Sequence, residues 1–331
     1  MKLLEKLRKV FGYTVNRPLE TDERESHLPQ GKPAPIPVAW PQWSVIRMNS
    51  IFLECVDLRF QRKGFVTTTC FAILPAGLGV PFVCVLHIIE KWSVLTGSKF
   101  IEMLLATGLG VLLFSPLVLI LILVLLLESF DYTHYPIRFN RKTRRVHVMM
   151  DWKKGKVLSI PWEDVYFTCS SKRSADFIIF GHQLAEDGET VLQTFELPHR
   201  DAKDSAYRFM QWEFVRQYME GDEKNLSELA GMVTEVMDVA ERRETPWESF
   251  RRMWVAFSGR YVRLMILFLP LALIFFTGRV FAMWTSKIPR WPEEIEAECR
   301  FEPNDPNIRD GQHLVCRDSV VLPDVTPYVG R

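Results

Sequence analysis

The sequence predicts an α+β membrane protein: a two-helix transmembrane hairpin, a cytosolic antiparallel β domain closed by a helix, a third transmembrane helix and a short exported tail. Three observations predict it. Charge-free apolar runs occupy 64–89 and 103–127, an alternating pattern broken by turn residues fills 135–197, and a third apolar run follows Arg263. A chain that is 48% hydrophobic and 24% charged, with the two kinds gathered in blocks, is a membrane protein with soluble parts. Its net charge of +1 argues against a nucleic-acid partner, which calls for an excess of Lys and Arg over a whole domain.

Residues 1–63 read as a cytosolic N-terminal segment and linker. Residues 1–12 interleave Lys and Arg with Leu and lack the apolar stretch of a signal peptide, so they fit either a basic amphipathic helix on an anionic leaflet or a frayed terminus. Pro18, Pro29, Pro33, Pro35, Pro37 and Pro41 make 17–43 too proline-rich for a helix.

The hairpin takes up 64–127. A helix over Gly64 to Ile89 rises about 39 Å, more than the roughly 30 Å of hydrocarbon it must cross. Met103 to Leu127 is the second span, and the short connection from Glu90 to Glu102 makes the two a hairpin. Ala72 with Ala76, and Ala106 with Gly110, are small-residue pairs that let helix backbones approach. Pro75 and Pro81 should kink the first span, and His87 stands near its boundary, an interfacial place rather than a proton relay. The third span, 261–284, has only Leu264 to Gly278 free of charge. It reaches across a bilayer with Arg263 and Arg279 snorkelling and the apolar pattern extending to Trp284.

Orientation follows from basic residues near the spans. Arg47, Arg59, Arg62 and Lys63 precede the first span, Arg138, Arg141, Lys142, Arg144 and Arg145 follow the second, and Arg251, Arg252, Arg260 and Arg263 precede the third. Only Lys91 and Lys99 stand between the first two. The N-terminus and residues 128–263 are therefore expected in the cytosol of a bacterial inner-membrane protein, with 285–331 as a periplasmic tail. Cys299 and Cys316 are then the pair in an oxidising compartment, and a bridge between them contributes about 3 kcal/mol. Two unpaired thiols are the alternative; with His313 as the nearest soft ligand, the set falls short of a zinc site.

Within 128–221 the strands predicted are Tyr135–Phe139, Arg145–Met150, Lys156–Ile160, Val165–Cys169, Phe177–Gly181 and Val191–Leu197, with Asp187-Gly188 as the clearest hairpin turn. Asp201 caps a helix that carries Phe209, Met210, Trp212, Phe214, Val215 and Tyr218 to a stop at Gly221. Helices then fill 222–260, with capping-box starts at Asn225 with Glu228 and at Thr245 with Glu248. The helix from Pro246 is expected to run on towards the third span.

The stretches PIRFNRKTRRVHV and GKVLSIPWEDVYF, emerging from a two-span hairpin, resemble the membrane-tethered pleckstrin-homology-like domains of bacterial proteins. The whole chain, including its Leu-Glu-Cys-Val-Asp segment and GHQLAEDGETVLQTFELP, is similar to a bacterial membrane-protein family of unknown function often encoded beside type VI secretion effectors. The resemblance implies a membrane-resident immunity or effector-associated protein whose partners are the lipid bilayer and a cognate toxin.

No catalytic constellation, cofactor motif or metal motif is legible. His199-Arg200-Asp201 starts like a kinase catalytic loop, but position 206 is Ala where that loop needs Asn. The one dense charged group is Arg141, Lys142, Arg144, Arg145, Lys153, Lys154 and Lys156. Near a bilayer it fits anionic headgroups or a protein partner, at roughly 1 kcal/mol per charge on lipid. It fits equally the positive-inside signal plus solvated turns. The expected function is a non-enzymatic binding protein; the alternatives are a lipid-sensing scaffold and a transporter or channel subunit.

Overall fold

The computed structural model describes residues 14–41, 43–91, 97–151, 156–170, 178–197, 205–258 and 265–312. The chain divides into two compact units. One, the helical unit, is built from Lys63–Asp131 and Arg243–Lys287; the other, the sheet unit, from the described parts of Glu5–Arg62, Tyr132–Arg242 and Ile288–Arg331.

The sheet unit begins with the short strand β1 (Arg17–Pro18) and helix α1 (Thr21–Glu25), then β2 (Val45–Met48), β3 (Phe52–Cys55) and α2 (Leu58–Arg62). After the helical insertion come β4 (Ile137–Asn140), β5 (Arg145–Asp151), β6 (Lys156–Pro161), β7 (Val165–Ser170), β8 (Ile178–Leu184) and β9 (Thr190–Glu196). All six predicted strands are present within a few residues. They belong to two antiparallel sheets rather than one, ordered β2-β3-β4-β5-β6 and β1-β9-β8-β7. The strands β2 and β3, absent from the sequence reading, complete the first sheet. At the β8–β9 turn Gly188 has φ +68°, and the Asp187 carboxylate accepts from the amides of Glu189 and Thr190 at 2.9 and 2.8 Å.

Alternation explains the core. Leu53, Cys55, Ile137, Phe139, Val146 and Val148 point to one face, where they meet Trp162, Phe167 and Phe195 from the chain that forms the second sheet. The long helix after β9, Ser205–Glu220, supplies Trp212, Phe214, Val215 and Tyr218 to the same core. The Trp212 ring lies 4.4 Å from that of Phe167. The proline-rich stretch is no free linker: Trp40 donates its amide to Met210 O, the Ala34 amide donates to Glu213 Oε2, and Ile36 and Trp40 pack on Met210. The helix Glu223–Met232 that follows is capped by Asp222, whose carboxylate accepts from the Asn225 amide at 2.8 Å, not by Asn225 itself. The predicted caps at Asp201 and the helix over 1–12 lie outside the described residues.

The helical unit contains α3 (Phe65–Lys91) and α4 (Ser98–Ser129). With Ser205–Glu220 as α5 and Glu223–Met232 as α6, the unit is completed by α7 (Pro246–Ser258) and α8 (Met265–Thr285). The last helix of the chain to be described, α9 (Glu293–Glu298), belongs to the sheet unit. α3 and α4 run antiparallel: Glu128 meets Gly64 and Thr67, while Cys70 Sγ donates to Leu121 O at 3.4 Å. The close approach is at Gly77, where a Cβ would lie 3.0 Å from Val118 Cγ2; a Cβ on Gly110 would meet nothing within 4 Å. The small-residue pair that the sequence suggested on α4 is therefore not the contact.

Among the described residues one helix, α4, is long and apolar enough to cross a membrane by length and composition, and Leu269–Thr285 is apolar over a shorter stretch. This corrects the expected two-helix transmembrane hairpin with a third transmembrane helix. α3 opens on Thr67, Thr68 and Thr69 and has prolines and glycines through its middle. In α8, Arg279 does not snorkel: it is fully buried and bound to Glu244. The capping box at Thr245 and Glu248 forms as expected, but α7 ends at Ser258, and α8 starts as a separate helix at Met265.

The exported tail is corrected as well. The described residues from Ile288 to Gln312 are part of the same compact unit as the β domain, and Arg309 pairs with Met48 by two backbone hydrogen bonds of 2.8 and 2.9 Å. A segment packed on that domain shares its side of any membrane.

Candidate functional site: the basic turn and the charged centre

Each described residue of the basic group has a place. In the β4–β5 turn Arg144 has φ +54°, and the Thr143 amide donates to Asn140 Oδ1 at 2.9 Å. This geometry carries Arg141 and Arg144 to the C-terminal end of α5, where helix carbonyls lack intrahelical donors. Arg141 donates to Tyr218 O at 3.3 Å and to Gly221 O. Arg144 donates to Met219 O at 2.7 Å, Glu220 at 2.8 Å and Glu163 at 2.7 Å. Arg145 reaches across to the neighbouring strand, donating to Ser159 Oγ at 2.9 Å. Lys142 and Lys156 are exposed; Lys153 and Lys154 lie outside the described residues. Three of the five described cations, Arg141, Arg144 and Arg145, are thus engaged by partners within the fold.

The second centre was not legible as a site. On the far face of the five-stranded sheet alternate Phe52, Glu54, Arg138, Asn140, His147 and Met149, all buried. Read along each strand, these residues are the polar half of an alternating pattern, which ordinarily faces water. Here α9 and its flanks cover them, with Trp291, Ile295 and Cys299 packing on Phe52 and Met149.

Arg138 is the hub. Its Nη2 donates to Glu54 Oε2 at 3.1 Å and to Glu296 Oε1 at 3.0 Å, and its guanidinium lies 4.6 Å from the Phe52 ring centre and 4.7 Å from that of Trp291. Glu54 also accepts from Arg47 Nε at 3.0 Å and Trp291 Nε1 at 2.8 Å. Burial raises the Glu54 carboxyl, but Arg138, Arg47 and Trp291 outweigh it and bring its pKa down to about 2. His147 is the direct cross-strand partner of Arg138. Burial first, then Arg138 and Arg145, push its pKa down to about 4, so the ring is neutral at pH 7. Its nearest carboxylate oxygen, on Glu298, is 3.7 Å away.

Cys299 is a buried free thiol that accepts from Asn140 Nδ2 at 3.4 Å, and burial pushes its pKa up. Cys316, its expected disulfide partner, lies outside the described residues. No group of three or more metal-ligating side chains occurs among the described residues.

The helical unit holds a third buried polar cluster. Glu244 accepts from Arg279 Nη2 at 2.6 Å and from Arg252 Nε at 3.3 Å, while Arg279 Nη1 donates to Lys63 O at 3.1 Å. This cluster and the Arg138 centre both read as ion pairs that fix chain segments far apart in sequence.

Residues 114–303 match the family of unknown function DUF6708, which covers more than half of the chain. The match runs from within α4 to just beyond α9, and so includes Arg138, His147 and Glu296 but not Glu54. No curated protein and no solved structure matches. The chain belongs to the DUF6708 family.

Proposed function

We propose that this DUF6708 protein is a non-enzymatic binding protein anchored in a bacterial inner membrane, serving as an immunity or effector-associated protein of type VI secretion. Membrane attachment rests on one observation. α4 is long and apolar, and most of its large side chains are exposed, among them Leu105, Leu109, Leu112 and Leu113. An apolar surface of that length has no stable place in water. The basic residues Lys63, Arg243 and Lys287 at the bounds of the helical unit support a cytosolic sheet unit, against Lys91 and Lys99 at the opposite helix ends.

Binding rather than catalysis is supported by the way the charged residues are spent on each other in the Arg138 centre and on helix carbonyls in the basic turn. The pleckstrin-homology-like reading is supported by two antiparallel sheets on one core with α5 after the last strand. The type VI context rests on the resemblance of the chain to membrane proteins encoded beside such effectors. The commitment of Arg141, Arg144 and Arg145 to internal partners disfavours lipid sensing by the basic turn.

The test is expression in a sensitive cell attacked by a neighbour that delivers the toxin encoded beside this gene. Protection is expected, and survival no better than with an empty vector refutes the immunity role. Extraction of the membranes with alkaline carbonate tests the anchor separately, since release of the protein into the supernatant removes it.

A further inference from the structure

The helical unit carries, at one end, a ring of outward-facing aromatic side chains that the reading above does not use. That end is set by polar contacts. The Glu128 carboxylate accepts from the amides of Gly64 at 3.0 Å and Thr67 at 2.5 Å, Thr285 Oγ1 donates to Ser129 O, and Arg279 joins Glu244 to the Lys63 carbonyl. The N-terminus of α3, the C-terminus of α4 and the C-terminal part of α8 therefore meet at one level, beside the start of α7. Four large aromatic residues stand next to these contacts in sequence and point outward: Phe65 is 58% exposed, Phe130 45%, Trp247 70% and Trp284 73%.

They are continuous with an aromatic seam. Phe65 stacks on Phe275 with ring centres 5.5 Å apart, and Phe71 and Phe130 meet Phe281 edge-on. Trp247 stacks on Phe250, which meets Phe276 edge-on at 5.9 Å. A tryptophan ring is a broad apolar surface with one N–H donor, and it settles where hydrocarbon gives way to headgroups. α7 brings Trp247 and Phe250 together with Glu248, Arg251 and Arg252, and its rise of roughly 20 Å is too short to cross a bilayer.

We propose that Trp247, Trp284, Phe65 and Phe130 form an aromatic girdle seated at the headgroup boundary of the bilayer. The partner is the glycerol and headgroup layer of phospholipid, and the proposal rests on the membrane-anchored reading. A girdle at this level fixes the depth of the helical unit, and the polar cluster of Glu128, Arg279 and Glu244 then sits beside the water-facing side of the boundary instead of within hydrocarbon.

The experiment uses the full chain in phosphatidylcholine vesicles. An environment-sensitive fluorophore is attached through Trp247→Cys, Trp284→Cys, Phe130→Cys or Leu112→Cys in turn, with the labelled wild-type protein subtracted to remove the natural cysteines. Quenching is compared for lipids carrying the spin label near the headgroup and near the chain middle. Positions 247, 284 and 130 are expected to be quenched roughly twofold more by the shallow label, and position 112, on α4, more by the deep one. Unquenched or deep-quenched labels at 247 and 284, with position 112 quenched by the deep label, overturn the girdle while leaving the anchor. A label at 112 that no lipid quenches overturns the anchor and the girdle together.

Discussion

Replacing Arg138 by Met removes the charge at the hub of the sheet unit while keeping most of the side-chain volume. Glu54, which is 2% exposed, then keeps only Arg47 and Trp291 as donors, and Glu296 keeps only its longer contact with Arg47, at 3.7 Å. Breaking a buried pair by removing one partner costs about 3–5 kcal/mol, because an uncompensated charge is left inside. For a unit of this size that corresponds to a fall in melting temperature on the order of 10 °C. The sign with pH follows from Glu54. Its folded pKa, about 2, is below the ordinary 4.5, so its contribution is present above pH 4.5 and is lost as pH falls towards 2. In Arg138→Met the Glu54 carboxyl loses its strongest charge partner and its pKa rises, so the variant is weakest relative to wild type at neutral pH. The pair Glu54→Gln with Arg138→Met recovers much of the loss, since neither partner is then left charged. The assay is thermal unfolding of the full chain in detergent, followed by tryptophan fluorescence. A loss below about 1 kcal/mol at pH 7, or a double variant no better than Arg138→Met, refutes the reasoning.

His147 supplies an acid limb of its own. With a folded pKa of about 4 against an ordinary 6.5, stability is full above pH 6.5 and falls by up to about 3 kcal/mol as pH drops through 4; His147→Leu should flatten that limb in pH-dependent melting. Gly64 has φ +93°, and a Cβ there would lie 2.3 Å from Arg279 Cα, so Gly64→Ala should destabilise the helical unit by at least about 2 kcal/mol, read as loss of monodisperse protein in detergent on mild heating. Arg141→Ala and Arg144→Ala each remove donors from the end of α5 and should cost about 1–2 kcal/mol by thermal unfolding, with binding of the full chain to anionic vesicles unchanged. A large loss of vesicle binding without loss of stability would reverse that assignment.

Much of this architecture was legible because it is local. The strands read as Arg145–Met150 and Val165–Cys169, the Asp187-Gly188 turn and the box of Thr245 with Glu248 are set by residues within a few positions of one another, and each appears within a residue of its expected place. The aliphatic run of α4 needs no partner to declare itself. What the pattern did not carry is which distant segment covers a polar face. Arg138, His147 and Glu54 occupy positions that read as solvent-facing, and they are buried because a segment more than a hundred residues later, centred on Trp291 and Glu296, returns to lie on them. Arg279 reads as the snorkelling end of a span, yet it turns inward because Glu244 and the Lys63 carbonyl give its guanidinium a better site than the lipid boundary. The sequence by itself determined the six strands β4 to β9, the Asp187-Gly188 turn and the apolar helix, since backbone preference and hydrophobic period act over a few residues. The tertiary structure decided the fate of the charges: burying a charge is favourable only where an opposite one arrives from elsewhere in the chain, and that meeting is a property of the fold.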